Sequence, residues 1–311
     1  MKILLVGGGG FAGFHLKNHL ERRGHEVFSA DLPAVAASSP GMYPVDLTDI
    51  SSVGSVLKQV RPDRIFLLAA VSSVAVSWKN PDLAVDVNIR GPLNLFHVME
   101  KTVPDARLIY IGSGEEYGNL CSEDHPFTED MPCSPGNPYA VTKFASGRLL
   151  ELLSVKRDFD FVHLRPFNHY GPFQREGFVV ADFCAQIARA EAGISDPVMK
   201  VGNLSARRDF LYVEDVVEAY CMIAEAEKCP HTVYNISTGK VRPIRFILDH
   251  LVSLAKIGIS VQVDPAQFRP VEVPALVASN ELIRKDFGWS PKTTLEDGLL
   301  RNLNWWRETL G

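Results

Sequence analysis

The amino-acid sequence predicts an α/β protein built on a doubly wound parallel sheet, with a smaller carboxyl-terminal lobe. Apolar runs of strand length alternate with amphipathic segments of helix length through the first half of the chain, as in consecutive βαβ units. The first apolar run leads directly into a glycine-rich turn and then a helical pattern. Beyond residue 165 the alternation becomes irregular and a Gly-Pro break occurs, which indicates a second lobe.

Each element of this fold follows from a local pattern. Strands covered on both faces are compact and apolar, and five such runs are residues 2–6, 26–31, 64–69, 107–111 and 161–164. Apolar residues recur at helical spacing over residues 11–23, 50–60, 87–101 and 139–154. Further on, residues 198–201 and 233–236 predict strands and residues 213–226 a helix. We expect a first domain over residues 1–165 and a second lobe mainly over residues 166–311, with a segment near residues 213–240 returning to the first.

Composition and charge exclude several classes of protein. The chain has 311 residues, of which 46% are hydrophobic and 22% charged, so it can bury a large core and is not disordered. A net charge of −5 without basic clusters gives no footprint for nucleic acid or an anionic membrane. No apolar run approaches the roughly 20 residues of a membrane helix, and the opening run is too short for a signal peptide. We therefore expect a cytoplasmic protein with small-molecule partners.

Neither a disulfide framework nor a metal site is predicted. The five cysteines are odd in number and form no C-x-x-C pair. His15 and His19 lie four residues apart on the first predicted helix, but no third ligand accompanies them. We interpret both histidines as surface or packing residues.

The turn after the first strand carries glycines at three-residue spacing. Gly7, Gly10 and Gly13 enclose Phe11 and Ala12, where the helix begins. Backbone without side chains can approach a pyrophosphate at the positive end of a helix. A glycine triplet alone also fits a tight turn, but the order strand, turn, helix favours binding of a dinucleotide.

Acidic residues follow at the positions that contact adenosine in such folds. Asp31 ends the second predicted strand, where its carboxylate would accept hydrogen bonds from the adenosine ribose and repel a 2′-phosphate. Leu32 and Pro33 supply no arginine for that phosphate, so NAD(H) is favoured and NADP(H) remains possible. Asp46 and the adjacent Leu47 are candidates for contact with adenine. The carboxylates of Asp31 and Asp46 are equally suited to ordering their own loops. Thr48 and Asp49, which follow Leu47, are suited to capping a helix.

Three polar side chains are candidates for catalysis. Tyr139 and Lys143 lie four residues apart on a predicted helix and share one face. The pKa of a free phenol is about 10, and an adjacent ammonium is expected to lower it, which makes Tyr139 a candidate acid or base. Ser113 follows the fourth predicted strand at its carboxyl end, where open α/β sheets bind ligands. Glu115 and Glu116 come next in the chain. Each is a candidate acid or base near the substrate, and each also fits a turn residue exposed to solvent. For Glu116 we favour the solvent-exposed turn residue.

These residues together resemble the extended short-chain dehydrogenase/reductase family, also called the epimerase/dehydratase family. The resemblance runs nearly the whole chain and rests also on Leu68-Ala69-Ala70, Asp86-Val87-Asn88 and Arg165-Pro166-Phe167-Asn168. It implies a Rossmann-type domain that binds NAD(P) and a carboxyl-terminal lobe that binds a nucleotide sugar. Leu68, Ala69 and Ala70 would pass beneath the cofactor, and Asn168 would contact the substrate diphosphate.

Segments of the second lobe resemble the GDP-mannose branch of this family, and most of all its GDP-4-keto-6-deoxy-D-mannose reductases. These segments are residues 168–174, 177–183 and 201–210, which include the candidate substrate contacts Val179 and Asn203. The resemblance implies that Arg208 and Arg269 hold the diphosphate and that Glu272 binds the guanosine ribose. Guanidinium groups suit phosphate oxygens, and a carboxylate suits a diol.

The resemblance implies an NAD(P)H-dependent oxidoreductase that converts GDP-4-keto-6-deoxy-D-mannose to GDP-D-rhamnose or its C4 epimer. Tyr139 would donate a proton to the substrate oxygen, Ser113 would assist, and Lys143 would hold the cofactor. Glu115 stands where the dehydratases of the family carry a catalytic glutamate, although Ser113 and Gly114 depart from their pattern. GDP-mannose 4,6-dehydratase and a nucleotide-sugar 4-epimerase with retained cofactor are therefore alternatives. A dinucleotide-sensing regulatory protein is the alternative outside enzymes.

Two predicted helices carry more apolar residues than one core needs. These include Leu93, Phe96, Leu149 and Leu152. By family resemblance, the helices would pair across a twofold axis as a four-helix bundle, which predicts a homodimer.

Overall fold

The structure, a computed structural model, describes residues 1–118, 125–267 and 274–310. The predicted substrate contacts Arg269 and Glu272 lie outside the described residues, as does Cys121. Strands and helices are numbered below in chain order.

A seven-stranded sheet, parallel throughout, forms the centre of the fold and confirms the predicted fold class. Its strands are β1 (Lys2–Val6), β2 (Glu26–Asp31), β3 (Tyr43–Pro44), β4 (Arg64–Leu67), β5 (Arg107–Ile111), β6 (Phe161–Pro166) and β11 (Val233–Ile236). Across the sheet they follow the order β11-β6-β5-β4-β1-β2-β3. The direction of winding reverses at β1, and ligands of open α/β sheets bind at the carboxyl ends of strands beside such a reversal.

Helices cover both faces of the sheet. The helices of the chain are α1 (Phe11–Arg22), α2 (Pro33–Ala37), α3 (Ile50–Val60), α4 (Val74–Lys79), α5 (Pro81–Val85), α6 (Gly91–Thr102), α7 (Pro138–Arg157), α8 (Val179–Glu191), α9 (Val213–Glu225), α10 (Ile244–Ser253), α11 (Glu281–Phe287) and α12 (Leu295–Leu310). Side chains alternate along each strand. In β1, Ile3 and Leu5 pack with α1, α9 and α11, whereas Leu4 and Val6 pack with α3, α6 and α7. The alternation therefore divides the apolar core into two layers.

A second lobe forms beyond the carboxyl ends of the strands. Its strands are β7 (Asn168–Tyr170), β8 (Val198–Val201), β9 (Arg207–Arg208), β10 (Phe210–Tyr212), β12 (Arg242–Pro243), β13 (Ser260–Val263) and β14 (Ala275–Leu276). Helices α8, α10 and α12 supply most of a separate apolar core, which includes Phe183, Leu248 and Leu303. Between these elements the chain passes back to the large sheet, since α9 packs on α1 and β11 pairs with β6.

Several boundaries differ from the predicted ones. The third predicted strand ends at Leu67, because the next two backbone N–H groups both donate to the carbonyl of Val6 and turn the chain away. Strand β6 continues to Pro166, and the helix predicted from residue 87 opens with a π-helical turn at Asp86–Arg90. Among the described residues, no helix is long and apolar enough to span a membrane.

Candidate active site

The loop between β1 and α1 is packed so closely that two of its glycines accept no side chain. Gly7 has a φ of +89°, and a Cβ on it would lie 2.4 Å from the backbone nitrogen of Ala69. A Cβ on Gly13 would lie 2.7 Å from the carbonyl oxygen of Gly8. Gly10 caps α1 without a side chain of its own, so bare backbone faces the positive end of the helix. This cradle fits the pyrophosphate of a dinucleotide, and Phe11 and Ala12 begin the helix beside it.

Asp31 ends β2 beside this loop. Its Oδ2 accepts a hydrogen bond from the Gly9 N–H at 3.0 Å, and its Oδ1 accepts one from the Leu32 N–H at 2.8 Å. Each carboxylate oxygen keeps a further lone pair. The carboxylate is therefore fixed in place and can still accept from a ribose hydroxyl.

Asp46 lies in the neighbouring turn after β3 and orders that turn. Its Oδ1 accepts from both the N–H and the hydroxyl of Thr48, at 2.9 and 2.7 Å. Asp49 is the residue that caps α3, through a bond of 2.8 Å from the Ser51 N–H. Leu47 is buried, whereas the carboxylate of Asp46 is half-exposed.

The segment Leu68-Ala69-Ala70 follows β4 and underlies the glycine loop, as the contact of Gly7 with Ala69 shows. Directly beyond it, the Val71 N–H donates to Asn88 Oδ1 at 2.8 Å, and Asn88 Nδ2 donates to the hydroxyl of Thr142 at 3.0 Å. Asn88 lies on the π-helical turn, a distortion that is frequent at functional sites. It ties this segment to α7.

Ser113 and Tyr139 meet at the carboxyl end of β5. Ser113 caps the 3-10 turn Gly114–Tyr117, and its Oγ accepts from the Glu115 N–H at 3.2 Å. Asn137 caps α7 through a bond of 2.9 Å from the Ala140 N–H, and Pro138 opens the helix. The backbone N–H of Tyr139 donates to Ser77 Oγ at 3.1 Å. These caps place the phenol of Tyr139 within hydrogen-bonding reach of the Ser113 side chain.

The electrostatics of Tyr139 differ from the expectation that Lys143 lowers its pKa. Burial raises the pKa of Tyr139, the hydrogen bond with Ser113 opposes that rise, and the charges of Glu115 and Glu116 add to it. Lys143 is not among the causes of the shift, because its own pKa of about 8 leaves it neutral at the higher pH where the phenol titrates. Its Nζ donates to the carbonyl oxygen of Ile111 at 2.7 Å. The phenol therefore retains its proton.

Lys143 is itself almost fully buried. Burial lowers its pKa from an ordinary value of 10.5 to about 8, and the charge of Glu116 counteracts part of that effect. Its ammonium lies 5.1 Å from the centre of the Tyr110 ring, whose hydroxyl donates to the carbonyl of Lys143 at 3.1 Å. Lys143 is thus charged near neutral pH and close to losing that charge above it.

The two adjacent glutamates of the 3-10 turn have different surroundings. Glu115 is half-buried, and its Oε2 accepts from Asn137 Nδ2 at 3.2 Å, close to the start of α7. Glu116 is fully buried, so the predicted solvated position is wrong. It turns inward because its carboxylate completes a capping box with Ser113 and pairs with His163 and Arg165 of β6.

In the second lobe, Asn168 and Val179 line a small cavity of about 50 Å³. Gln174 also lines it, with an amide oxygen that has no partner among the described residues. It lies in the segment 168–174 that carries the resemblance, but it was not singled out as a substrate contact. Arg208 is buried on β9, and its Nη1 donates to the carbonyl of Arg207 at 2.9 Å. Asn203 accepts from the N–H and the hydroxyl of Ser205 and so orders its own turn.

The histidine His15 and three residues that were not predicted have structural roles. His15 is buried and its Nε2 bonds the carbonyl oxygen of Pro172 at 2.9 Å, so it joins α1 to the second lobe. Sequence reasoning missed the supporting roles of Ser77, Asn137 and His163. The Asn137-Pro138 pair is a readable cap signal, whereas His163 stands in an apolar strand pattern that predicts no polar role.

The sheet order, the glycine loop and the cluster of Ser113, Tyr139 and Lys143 define an extended short-chain dehydrogenase/reductase enzyme, in agreement with the resemblance seen in the sequence. Residues 4–301 match the model of the family described as GDP-mannose 4,6 dehydratase, and the chain belongs to this family.

Relatives within the family have different activities. A GDP-6-deoxy-D-mannose reductase from Pseudomonas aeruginosa is 30% identical over 98% of this chain and 97% of its own. GDP-mannose 4,6 dehydratase 1 of Arabidopsis thaliana is 31% identical over 81% of this chain and 70% of its own. The solved structure of RMD from P. aeruginosa complexed with NADPH has a TM-score of 0.86 and 29% identity, covering 99% of both chains. UDP-glucose 4-epimerase from Thermus thermophilus, in complex with NAD, has a TM-score of 0.88 and 27% identity, again covering 99% of both.

Proposed function

We propose that this enzyme uses a nicotinamide dinucleotide to reduce the 4-keto group of GDP-4-keto-6-deoxy-D-mannose, giving GDP-D-rhamnose or its C4 epimer. The observation that carries the proposal is the similarity to a GDP-6-deoxy-D-mannose reductase, at 30% identity over 98% of this chain and 97% of that relative. A reductase begins its chemical step by donating a proton, whereas a dehydratase or epimerase begins by removing one from a hydroxyl. Tyr139 is a protonated phenol beside Ser113, so it is suited to that donation.

Each residue of the cluster has a role in this reaction. The reduced cofactor, when bound, supplies the hydride. Tyr139 donates its proton to the oxygen at C4 as charge develops there, and the hydroxyl of Ser113 donates a hydrogen bond to the same oxygen. Lys143 carries positive charge beside the cofactor site and stabilises the phenolate that remains. A general acid of this kind contributes on the order of 10²- to 10⁴-fold in rate.

The binding roles follow from the same geometry. The bare backbone at Gly7, Gly10 and Gly13 holds the pyrophosphate, and Asp31 accepts the ribose hydroxyls. Because Asp31 is fixed by two backbone N–H groups, its charge stays beside the 2′ position, which favours NAD(H) over NADP(H). Asn168 and Arg208, together with the remaining predicted substrate contacts, bind the nucleotide sugar.

One observation favours a second candidate, GDP-mannose 4,6-dehydratase. The Oε2 of Glu115 accepts a hydrogen bond of 3.2 Å from the Nδ2 of Asn137, which caps α7, and Glu115 is two residues from Ser113. A carboxylate in that position is suited to removing the proton at C5. The variant Glu115→Gln separates the two reactions: a reductase retains most of its turnover, whereas a dehydratase loses at least about 100-fold.

The decisive assay mixes the purified enzyme with GDP-mannose, with and without a separate dehydratase that generates the 4-keto sugar. Absorbance of NADH and of NADPH and the sugar products are followed together. Oxidation of the cofactor only when the keto sugar is supplied establishes the reductase. Formation of the keto sugar from GDP-mannose without net consumption of cofactor establishes the dehydratase instead.

We further propose that two copies pair through α7. Leu149, Leu152 and Val155 on this helix are 40%, 52% and 78% exposed, which is unusual for three aliphatic side chains on one helix. Phe96, in contrast, is fully buried between α6 and the sheet, so its predicted place in an interface is wrong. Light scattering at micromolar concentration tests the pairing: a dimer mass that falls to a monomer mass in Leu152→Asp supports it, and a monomeric wild type contradicts it.

A further inference from the structure

A buried cluster of charged groups lies directly behind Ser113. The carboxylate of Glu116 has no exposure to solvent, and its Oε1 accepts from the Ser113 N–H at 2.8 Å and from His163 Nε2 at 3.0 Å. Its Oε2 accepts from Arg165 Nε at 3.0 Å. Because a carboxylate only accepts, His163 carries its hydrogen on Nε2. Three donors from two elements therefore converge on this one side chain.

Two glycines provide the space for this cluster. A Cβ on Gly112 would lie 2.1 Å from His163 Nε2 and 2.2 Å from Glu116 Oε1. A Cβ on Gly147, which lies on α7 four residues after Lys143, would lie 2.4 Å from His163 Cε1. Buried ion pairs contribute little net stability compared with apolar packing. This charged cluster fits only because residues 112 and 147 are glycines. Since it adds little net stability, we infer that it has a further role.

We propose that Glu116 is a positioning residue of this active site: its carboxylate fixes the backbone of Ser113 and places a negative charge behind Tyr139 and Lys143. The inference rests on the proposed function, in which Ser113 and Tyr139 act on the substrate oxygen. The capping box holds Ser113 at its backbone through Glu116 and at its hydroxyl through the Glu115 N–H. The serine hydroxyl is thereby held toward the phenol.

The charge of Glu116 acts on both titrating members of the cluster. It raises the pKa of Lys143 against the effect of burial, and it adds to the rise in the pKa of Tyr139. Burial would raise the pKa of Glu116 itself, but His163, Arg165 and the Ser113 N–H outweigh it and lower that pKa. The titratable and charged groups facing Glu116 are His163 and Arg165 of β6, Tyr110 of β5, Cys133, and Tyr139 and Lys143 of α7. Glu116 thus favours the protonated state of the ammonium of Lys143 and adds to the effect of burial on the phenol of Tyr139.

The test is Glu116→Gln, which retains the shape of the side chain and an acceptor for the Ser113 N–H but removes the charge. The titration of Lys143 is followed by NMR of protein labelled with 13C-lysine, assigned with Lys143→Met, and requires no substrate. We expect the midpoint, about 8 in the wild type, to fall by about one unit. The alkaline limb of kcat/KM should move down by the same amount, with kcat reduced about tenfold and KM within about twofold. An unchanged Lys143 midpoint overturns the proposal.

Two further variants separate the possible explanations. Glu191→Gln removes a remote carboxylate that pairs with Arg307 in the second lobe, so it controls for loss of an ion pair and should leave both readouts unchanged. Glu116→Asp keeps the charge but shortens the reach to Ser113. We expect Glu116→Asp to keep the titration midpoint of Lys143 and to lower kcat. This variant tests the positioning of Ser113 even if Glu116→Gln does not fold. A kcat equal to that of the wild type in Glu116→Asp overturns the positioning role. A shifted midpoint in an enzyme that reduces no keto sugar sustains the role of Glu116 and overturns the proposed function instead.

Discussion

Two glycines with similar positive φ angles provide a direct test of the dinucleotide cradle. Gly7 and Gly24 have φ values of +89° and +81°, so alanine at either position introduces left-handed strain of about 1–2 kcal/mol. A Cβ on Gly24 meets no atom within 4 Å, whereas one on Gly7 would lie 2.4 Å from the nitrogen of Ala69 and 2.7 Å from its Cα. These are backbone atoms between adjacent strands, so they cannot rotate away. The contrast isolates close approach from conformational strain.

The clash requires the loop to separate from the end of β4 by about 1 Å, because ordinary contact begins at 3.4 Å. That displacement breaks the two hydrogen bonds of 2.9 Å that Leu68 and Ala69 donate to Val6, each contributing about 1 kcal/mol. Gly7→Ala should therefore lower the free energy of unfolding by about 3–4 kcal/mol, and Gly24→Ala by about 1–2 kcal/mol. Denaturant unfolding measures both free energies of unfolding. Fluorescence titration with NADH and NADPH measures cofactor binding. Only Gly7→Ala should weaken that binding, by at least about 100-fold. Equal destabilisation, or wild-type binding in Gly7→Ala, would refute this account of the loop.

Three further predictions concern the site itself. Tyr139→Phe should lower kcat by at least about 100-fold and leave cofactor binding within about twofold, measured by steady-state kinetics and fluorescence titration; comparable activity would remove Tyr139 as the proton donor. The pKa of Lys143 is about 8 in the folded protein and 10.5 in the unfolded chain, so between these two pH values the unfolded chain holds an extra proton. The free energy of unfolding should therefore rise with pH over that window, by up to about 3 kcal/mol more than it does in Lys143→Met. Parallel pH dependences in the two proteins would contradict the depressed pKa. Asp31→Asn should raise kcat/KM with NADPH relative to NADH by about tenfold, because the charge beside the 2′ position is lost; an unchanged ratio would show that other groups set the preference.

The parts of the fold that the sequence predicted are those specified by local pattern. Strands β1, β2 and β5 begin and end where their apolar runs do. Strands β1 and β5 are buried on both faces, whereas β2 is fully buried only at Ser29 and Ala30. The place of Ser113 at the ligand-binding edge was also predictable, since open α/β sheets bind ligands at the carboxyl ends of their strands. The π-helical turn at Asp86–Arg90 was not, because no residue type specifies an inserted residue in a helix.

The inward turn of Glu116 could not be read from the sequence, because it depends on two residues that are distant from it in the chain. Its position three residues after Ser113 is a capping-box signal, but a capping box usually lies at the surface. Burial follows from His163 and Arg165, which are 47 and 49 residues away and come adjacent only when β5 pairs with β6. The alternation of residues along a strand predicts which positions are buried, but it does not predict which residue pairs with a buried charge and stabilises it.

The same 3-10 turn affects proton transfer at Tyr139. Glu115 and Glu116 are adjacent in sequence but face different surroundings, one toward Asn137 and the other into the core, and both raise the pKa of Tyr139. Two carboxylates near one phenol oppose its ionisation, so donation of its proton to a substrate oxygen needs a positive charge that stabilises the phenolate left behind. Lys143, which is charged near neutral pH, is the residue of the cluster that supplies this charge. The ammonium of Lys143 therefore offsets the two glutamates during proton transfer, and Glu116→Gln changes that balance.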